Sequence, residues 1–286
     1  SKFHVDNELM PIDVEIDNTE ACKRYACLSV TDCEVKESPK WMQERLNAIG
    51  LKPINNIVDI TNYIMMAYGQ PMHCFDADKV TGHKIVVRTQ PEGTKFVTLD
   101  GVEHILGEHD LSICNAEEPM CIAGIFGGKG SGTYETTRNV VLESAYFHPT
   151  WIRKSARHHG LSTDASFRFE RGIDPNGTIY ALKQAAILCQ ELAGGKVSMR
   201  IKDVYPQPLP NFRLIGKKLG ADTIKSIVTS LEMKINKEDA EGLDLTVPAY
   251  RVDVKRPCDV VEDILRIYGY NNVEFDETLH ASLSYR

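Results

Sequence analysis

Four stretches of this 286-residue chain combine residue types that can do chemistry. The first is Ile57-Val58-Asp59-Ile60-Thr61-Asn62-Tyr63, followed by Gly69-Gln70-Pro71-Met72-His73-Cys74-Phe75-Asp76. Thr61 and Asn62 are polar residues in an apolar helical pattern, where such side chains face solvent, bond the preceding turn or orient a ligand. His73 falls in a segment flanked by Gly and Pro and reads as a loop residue, and loops commonly carry functional side chains. A lone histidine is more often structural, and both readings stand at this level.

The second stretch, Ala123-Gly124-Ile125-Phe126-Gly127-Gly128-Lys129-Gly130-Ser131, invites comparison with a phosphate loop. That pattern needs Gly, four residues, then Gly-Lys-Ser/Thr, and here it fails at Ala123 and at Gly130. Glycines still let backbone approach a ligand closely; a tight turn is the plainer alternative. The third is Glu143, which follows Val140-Val141-Leu142 and so should be enclosed. An enclosed carboxylate needs a hydrogen-bond partner, either a structural cation or a ligand. The fourth runs from Trp151 to Arg171, where Arg153, Lys154, Arg157, Arg168 and Arg171 outnumber Asp164 and Glu170, with His158 and His159 beside them. It is the best local candidate for a phosphate-contacting surface, against the alternative of a solvated helix face.

The elements that must position these residues follow from periodicity and punctuation. Tyr25 to Val30 reads as a strand. Pro39 to Ile49 reads as a helix with Trp41, Leu46 and Ile49 apolar, stopped by Gly50. Asn55-Asn56 caps a second helix whose apolar face is Ile57, Val58, Ile60, Ile64 and Met65, closed by Gly69. Short apolar runs from Ile85 to Leu142, punctuated by Gly, Asp and Pro, indicate a sheet region. Pro149 to His159 is helical. Asp174-Pro175 reads as an N-cap and first helical proline for a helix carrying Ile179, Leu182, Ala186, Cys189 and Leu192, ended by Gly194-Gly195. Asp203 to Pro210 holds three prolines and reads as a linker. Beyond it come a helix on Ile224, Ile227, Val228 and Leu231, a strand at Leu243 to Val247, and a helix on Val260, Val261, Ile264, Leu265 and Tyr268 closed by Gly269.

Composition excludes several classes. An apolar fraction of 42% and a charged fraction of 26% are ordinary for a folded soluble chain. A formal net charge of −7 argues against general nucleic-acid binding, so any RNA contact must be local. No apolar run approaches the roughly 20 residues of a membrane helix. The eight cysteines lack zinc-ligand spacing and read as reduced core residues, so no metal site is expected. The start at Ser1-Lys2, without a signal peptide or initiator methionine, reads as a piece of a longer protein. There is no G-x-S-x-G, H-E-x-x-H or G-x-G-x-x-G motif.

In their order and spacing these stretches closely resemble the bacterial phenylalanine–tRNA ligase β subunit. The likeness runs through Asn55 to Tyr63, Gly69 to Asp76, Ala123 to Gly128, Leu142 to Phe147 and Thr163 to Pro175. It resumes at Val247 to Asp253 and at Glu262 to Tyr270. It implies an α+β fold: a mixed α/β editing domain over 1–203, then a small helical, helix-turn-helix-like domain over 204–286. The implied activity is hydrolysis of tyrosine wrongly esterified to tRNA(Phe), with the α subunit of an α2β2 enzyme and the tRNA 3′ end as partners, in the cytoplasm, without membrane or DNA. No cofactor is implied here; ATP and Mg²⁺ serve the complete enzyme.

Phenylalanine and tyrosine differ by one hydroxyl, and an apolar pocket rejects such an isostere by only about a hundredfold. By the resemblance, Glu143 accepts the tyrosine hydroxyl. Gly124, Gly127, Thr163, Ala165 and Pro71 line the pocket. His73, Asn62 and Thr61 are the implied catalytic residues, near the scissile ester, where they hold the tRNA 3′ end and orient a water, and Arg153, Arg157 and Arg168 meet the tRNA. The alternative is a non-catalytic tRNA-binding scaffold segment of the same subunit that needs the rest of the enzyme.

Overall fold

The computed structural model describes residues 2–207, 212–214, 220–239 and 242–268. Two compact units divide the chain, Ser1–Pro208 and Leu209–Arg286. The first carries β1 (Asp13–Ile16), β2 (Cys22–Thr31), α1 (Lys40–Ala48), α2 (Asn56–Tyr68), β3 (Met72–Asp76), β4 (Lys84–Thr89), β5 (Thr94–Val97), β6 (Glu103–Leu106) and β7 (Leu111–Cys114). It continues with β8 (Pro119–Ile122), β9 (Phe126–Gly127), β10 (Val140–Phe147), α3 (Pro149–His159), α4 (Asp164–Phe169), α5 (Gly177–Ala193), β11 (Lys196–Val197) and β12 (Lys202–Val204).

Apart from β5 and β6, which pair only with each other, most of these strands sort into two sheets that cut across sequence order. One runs β11-β2-β10-β3, all antiparallel, with β12 also pairing with β2. The other runs β1-β4-β7-β8-β9, parallel only between β1 and β4. The sheet region expected from Ile85 to Leu142 therefore exists, but β10 leaves it to pair with β2 and β3. All eight residues of β10 are buried. Such a strand, covered on both faces, reads as a nearly continuous apolar run, and Glu143 and Ser144 are its polar exceptions. Alternation sends Ser144 to the α5 side, where its hydroxyl donates to Thr178 O (2.9 Å), and Glu143 to the other side.

Helix α2 packs against α5 and β3, and α5 covers β2 and β10. The Asn55 side chain caps α2 by accepting from Ile57 N and Val58 N, and Gly69 ends it in the left-handed conformation at φ 71°. Ile57, Ile60, Ile64 and Met65 are buried as expected, with Val58 half-buried. The polar residues beside that stripe are structural. Asn56 accepts from Lys36 N (3.1 Å) and donates to Glu34 O (2.9 Å) and Leu192 O (3.3 Å). Asp59 accepts from Ser38 Oγ (2.5 Å) and Ile54 N (2.9 Å). These bonds satisfy backbone groups of a segment that pairs with no strand.

Three local expectations are corrected. In α1 the buried positions are Met42 and Leu46, while Trp41 and Ile49 are exposed; Trp41 instead packs edge-on against Tyr63 at 5.5 Å. Helix α5 starts at Gly177 behind Asn176, because the Asp174 carboxylate is used in a turn, accepting from Asn176 N at 2.8 Å. The proline-rich stretch begins inside the sheet: Asp203 and Val204 pair with β2, and Asp203 forms a two-point ion pair with Arg24 at 2.9 and 2.7 Å. Pro208 to Pro210 lie outside the described residues.

The second unit carries β13 (Phe212–Leu214), α6 (Ala221–Ser230), β14 (Lys234–Asp239), β15 (Gly242–Thr246) and α7 (Pro257–Tyr268). Helix, strand and helix fall where periodicity puts them, and β13 and β14 flank β15 in a three-stranded sheet. Ile224, Ile227, Val228, Leu243, Leu245, Val260 and Ile264 form its core. The expected stop at Gly269 and the side chain of Leu265 lie outside the described residues.

Because Asn56 makes three bonds in the interior, Asn56→Ala should lower unfolding free energy by about 3 kcal/mol. Urea denaturation measures this, and a loss below about 0.5 kcal/mol, the scale of an ordinary surface change, would contradict the assigned role.

Candidate active site

Glu143 is built into the middle of β10, opposite Cys27 of β2 and His73 of β3. It is 4% exposed as a residue and its carboxyl meets no cation among the described residues. Its partner is the phenol of Tyr25, which donates to Oε2 at 2.9 Å. Burial raises the Glu143 carboxyl to about 8, with the Tyr25 hydrogen bond pulling the other way. At neutral pH the protonated form of the carboxyl therefore prevails. Oε1 takes no hydrogen bond among the described residues.

Glu143 lines a small inner pocket of about 60 Å³ with Pro71, His73, Cys121, Gly124, Gly127, Ala165 and Phe169. Next to it lies a cleft of about 920 Å³ lined by Asn55, Val58, Thr61, Asn62, His73, Leu99, Tyr134 and Thr163, among others. Met72, His73, Ile125, Phe126 and Gly127 border both spaces. A wide cleft bordering a small, mainly apolar pocket that holds one carboxyl is a layout able to take a ligand longer than either space alone.

His73 stands at the boundary, on strand β3 rather than in the expected loop. Its ring packs edge-on against Phe75 at 4.6 Å, and its Nε2 is enclosed without a partner. Burial pulls the imidazole down to about 4, so it is neutral at physiological pH. A neutral ring with a low proton affinity is a weak base, and its enclosed Nε2 is reached by a ligand or a water only when the pocket border shifts. The Thr61 hydroxyl donates to Val58 O at 2.7 Å, leaving its lone pairs toward the cleft it lines. The Asn62 side chain makes no hydrogen bond among the described residues.

The two glycines are required by contact. A Cβ on Gly127 would lie 2.9 Å from His73 Cε1 and 2.9 Å from Leu99 Cδ1, so backbone presses directly on the imidazole. Gly124 sits at φ 68°, and its Cβ would meet Phe169 at 2.8 Å and Phe147 at 3.0 Å. Thr163 contributes through the backbone it holds. It caps α4 in a reciprocal box with Ser166 and donates to Ile125 O at 3.1 Å, so the loop at the pocket rim is tied to the helix bearing Ala165.

The basic stretch divides. Arg168 is committed internally, donating to Asp164 O (2.8 Å) and Oδ1 (3.2 Å). Arg171 lies over the Phe167 ring at 3.6 Å and bonds Phe167 O and Glu170. Arg153, Lys154 and Arg157 are exposed on α3 and make no ion pair among the described residues. The neighbouring histidines are used elsewhere. His158 Nδ1 and His159 Nε2 both reach Asp110 Oδ2, at 3.1 and 2.9 Å, while Ser155 and Gly107 N bond the same carboxylate. Burial would raise Asp110, but the bonds from His159, Gly107 and Ser155 outweigh it and hold the carboxyl down to about 2. This cluster anchors α3 to the start of β7.

Tyr25 was not legible as a site residue. It belongs to an unremarkable apolar strand, and only the pairing of Tyr25 with Ala145 in β2/β10 places its phenol diagonally beside Glu143.

Comparison with known proteins follows the same lines. The B3/4 domain matches residues 21–194 and the tRNA synthetase B5 domain residues 212–270. The phenylalanine–tRNA ligase β subunit of Bacteroides fragilis (strain YCH46) is 63% identical over 292 residues, covering 99% of this chain and 36% of that protein. The β subunit of Bacteroides thetaiotaomicron is 60% identical over the same shares, and that of Geobacter metallireducens 44% identical over 91% of this chain and 34% of its own length. A solved N-terminal fragment of the phenylalanyl-tRNA synthetase β subunit from Pyrococcus horikoshii aligns over 94% of this chain and 78% of that chain, at a TM-score of 0.46 and 15% identity. The chain thus spans about a third of the length of these curated relatives.

The Glu143 carboxyl carries a pH signature. Its folded value of about 8 lies above the ordinary 4.5, so the folded protein holds the proton more tightly than the unfolded chain. That contribution to stability is complete below pH 4.5 and is lost as pH rises through about 8. The melting temperature of the native protein should therefore fall from pH 5 to pH 8 more steeply than that of Glu143→Gln, which has no charge to bury, and the two should run parallel above that range. Curves parallel over the whole range would show that Glu143 does not titrate in the interior.

Proposed function

The chain belongs to the phenylalanine–tRNA ligase β-subunit family, carrying its B3/4 and B5 domains, and from that premise we propose that its first unit hydrolyses tyrosine from tRNA(Phe). The observation that carries this reading is Glu143: a buried carboxyl with one oxygen open, at an apolar pocket entered from a wide cleft.

In this reading the cleft holds the aminoacylated 3′ end and the inner pocket takes the side chain. A tyrosine phenol donates to Glu143, whereas phenylalanine would leave that polar group enclosed and unmatched, so the hydroxyl decides which ester stays long enough to react. Asn62 and Thr61 supply polar contacts for the ribose end. His73 Nε2 bonds the ester or the attacking water. Water oxygen adds to the ester carbonyl, the bond to the ribose oxygen breaks, and that oxygen takes a proton to restore the 3′-terminal hydroxyl. With its imidazole held at about 4, His73 orients and does not drive deprotonation. An aminoacyl ester is reactive enough that positioning supplies most of the acceleration. The pocket as it stands, about 60 Å³, must widen for a phenol ring, and Met72 and Phe126 at its border are the side chains placed to yield.

The complete enzyme would join phenylalanine to tRNA with ATP and Mg²⁺ on its α subunit in an α2β2 assembly; this chain would contribute proofreading in the cytoplasm. The short span relative to its relatives favours a second reading, in which the segment holds tRNA but turns over only when the rest of the enzyme presents it.

In the assembled enzyme, Glu143→Ala should cut the preference for Tyr-tRNA(Phe) over Phe-tRNA(Phe) deacylation by about 10- to 100-fold. Ala165→Trp should block release of both by filling the inner pocket. Unchanged selectivity in the first variant, or full activity in the second, would place recognition elsewhere. The same assay on the isolated chain separates self-sufficient editing from presentation by the whole enzyme.

Removing the exposed charges with Arg153→Ala and Arg157→Ala together should weaken tRNA binding and reduce its salt slope by about 1 to 2. An identical slope would mean that this face of α3 is only solvated.

A further inference from the structure

The chemistry of a buried carboxyl depends on which of its oxygens a ligand can reach. In Glu143 that choice is made by one neighbour. Tyr25 is fully buried in β2, and its hydroxyl points at Oε2 across the β2/β10 pairing at 2.9 Å. The resident group is a phenol, the same group that distinguishes tyrosine from phenylalanine. Building on the editing reading, we propose that Tyr25 is a positioning and specificity-setting residue: its phenol occupies Oε2 of Glu143 and so leaves Oε1 as the acceptor for the phenol of the incoming tyrosyl group.

Two physical consequences follow. First, the side chain is clamped. A glutamate with free terminal torsion could turn either oxygen toward Phe169 or Cys121 and lose the alignment that rewards a hydroxyl, whereas a bond at Oε2 fixes the carboxyl plane. Second, the bond is made best to the ionised form, the stronger acceptor, so Tyr25 opposes the burial that favours the proton. The groups that face Glu143 from the packed strands are Tyr25, Cys22 and Cys27 on β2, His73 on β3 and Cys121 on β8. Burial drives the tyrosine and the three thiols well up and His73 down to about 4. Glu143 is thus the group in this set that changes charge near pH 8. While the carboxyl is neutral its proton sits on Oε1, because Oε2 already accepts from Tyr25, and Oε1 becomes the strong acceptor once that proton leaves, so discrimination in favour of tyrosine should rise with pH through that region.

The test is the ratio of Tyr-tRNA(Phe) to Phe-tRNA(Phe) deacylation as a function of pH, in the assembled enzyme carrying wild-type, Tyr25→Phe or Glu143→Ala chains. Tyr25→Phe keeps the ring and removes only the hydroxyl. It should lower the ratio at neutral pH about tenfold, mainly through KM for the tyrosyl substrate, and move the rise to higher pH by about one unit. Replacing Tyr25 with a fluorinated tyrosine, a stronger donor of the same shape, should move the rise to lower pH. A merely structural tyrosine would slow both substrates together and leave the ratio and its pH midpoint where they are. If Glu143→Ala loses selectivity while Tyr25→Phe matches wild type in ratio and midpoint, the role of Tyr25 is overturned and the editing reading stands. If Glu143→Ala also matches wild type, the editing reading fails first and the role of Tyr25 with it.

Discussion

A carboxyl group in the centre of a strand covered on both faces is the constraint around which this fold is arranged. Strand β10 is wholly buried, and Glu143 can sit there because one phenol meets it and a narrow pocket opens beside it. Desolvation holds the proton on the group, so its charge is conditional on what occupies the pocket. Asp110 shows the contrast: also buried, it is met by two imidazoles, a hydroxyl and a backbone N–H, and those bonds hold it ionised.

The surroundings keep this pocket small and hold the backbone along its border in place. Gly127 lies against His73 where no side chain would fit, and Gly124 makes room for Phe169 and Phe147. Thr163 fastens Ile125 to α4 and thereby fixes Ala165 at the rim. On the cleft side, α2 is pinned by Asn55, Asn56 and Asp59, each spending its polar atoms on backbone or on Ser38. The polar residues of this helix therefore divide by depth: those near its start build the scaffold, and Thr61 and Asn62 line the cleft.

Much of this was readable from the chain. Helix α2 follows from its apolar period with Asn55 before it and Gly69 after it, since capping and periodicity are local. Glu143 stood out because a charge inside an apolar strand run must be explained, and the basic run on α3 was visible as composition. Local signals misled where side chains had a second use. Asp174 serves a turn instead of capping α5, and Arg168, basic by type, is spent on Asp164. His73 looked like a loop residue because its neighbours are Gly and Pro, yet pairing with β10 draws it into a strand.

By itself, then, the sequence determined the elements, the apolar faces that bury them, the family resemblance and the short set of residues able to do chemistry. Each of these depends on neighbours along the chain. Tertiary structure alone decided that β10 leaves its sequence neighbours to pair with β2 and β3, that His73 faces Glu143, and that Tyr25 supplies the bond on Oε2. Those facts rest on strand register between residues 118 apart for Tyr25 and Glu143 and 70 apart (143 − 73) for His73 and Glu143, and a shift of one position would turn every one of these side chains to the opposite face. Register is set by the burial of whole sheets, which no local pattern records.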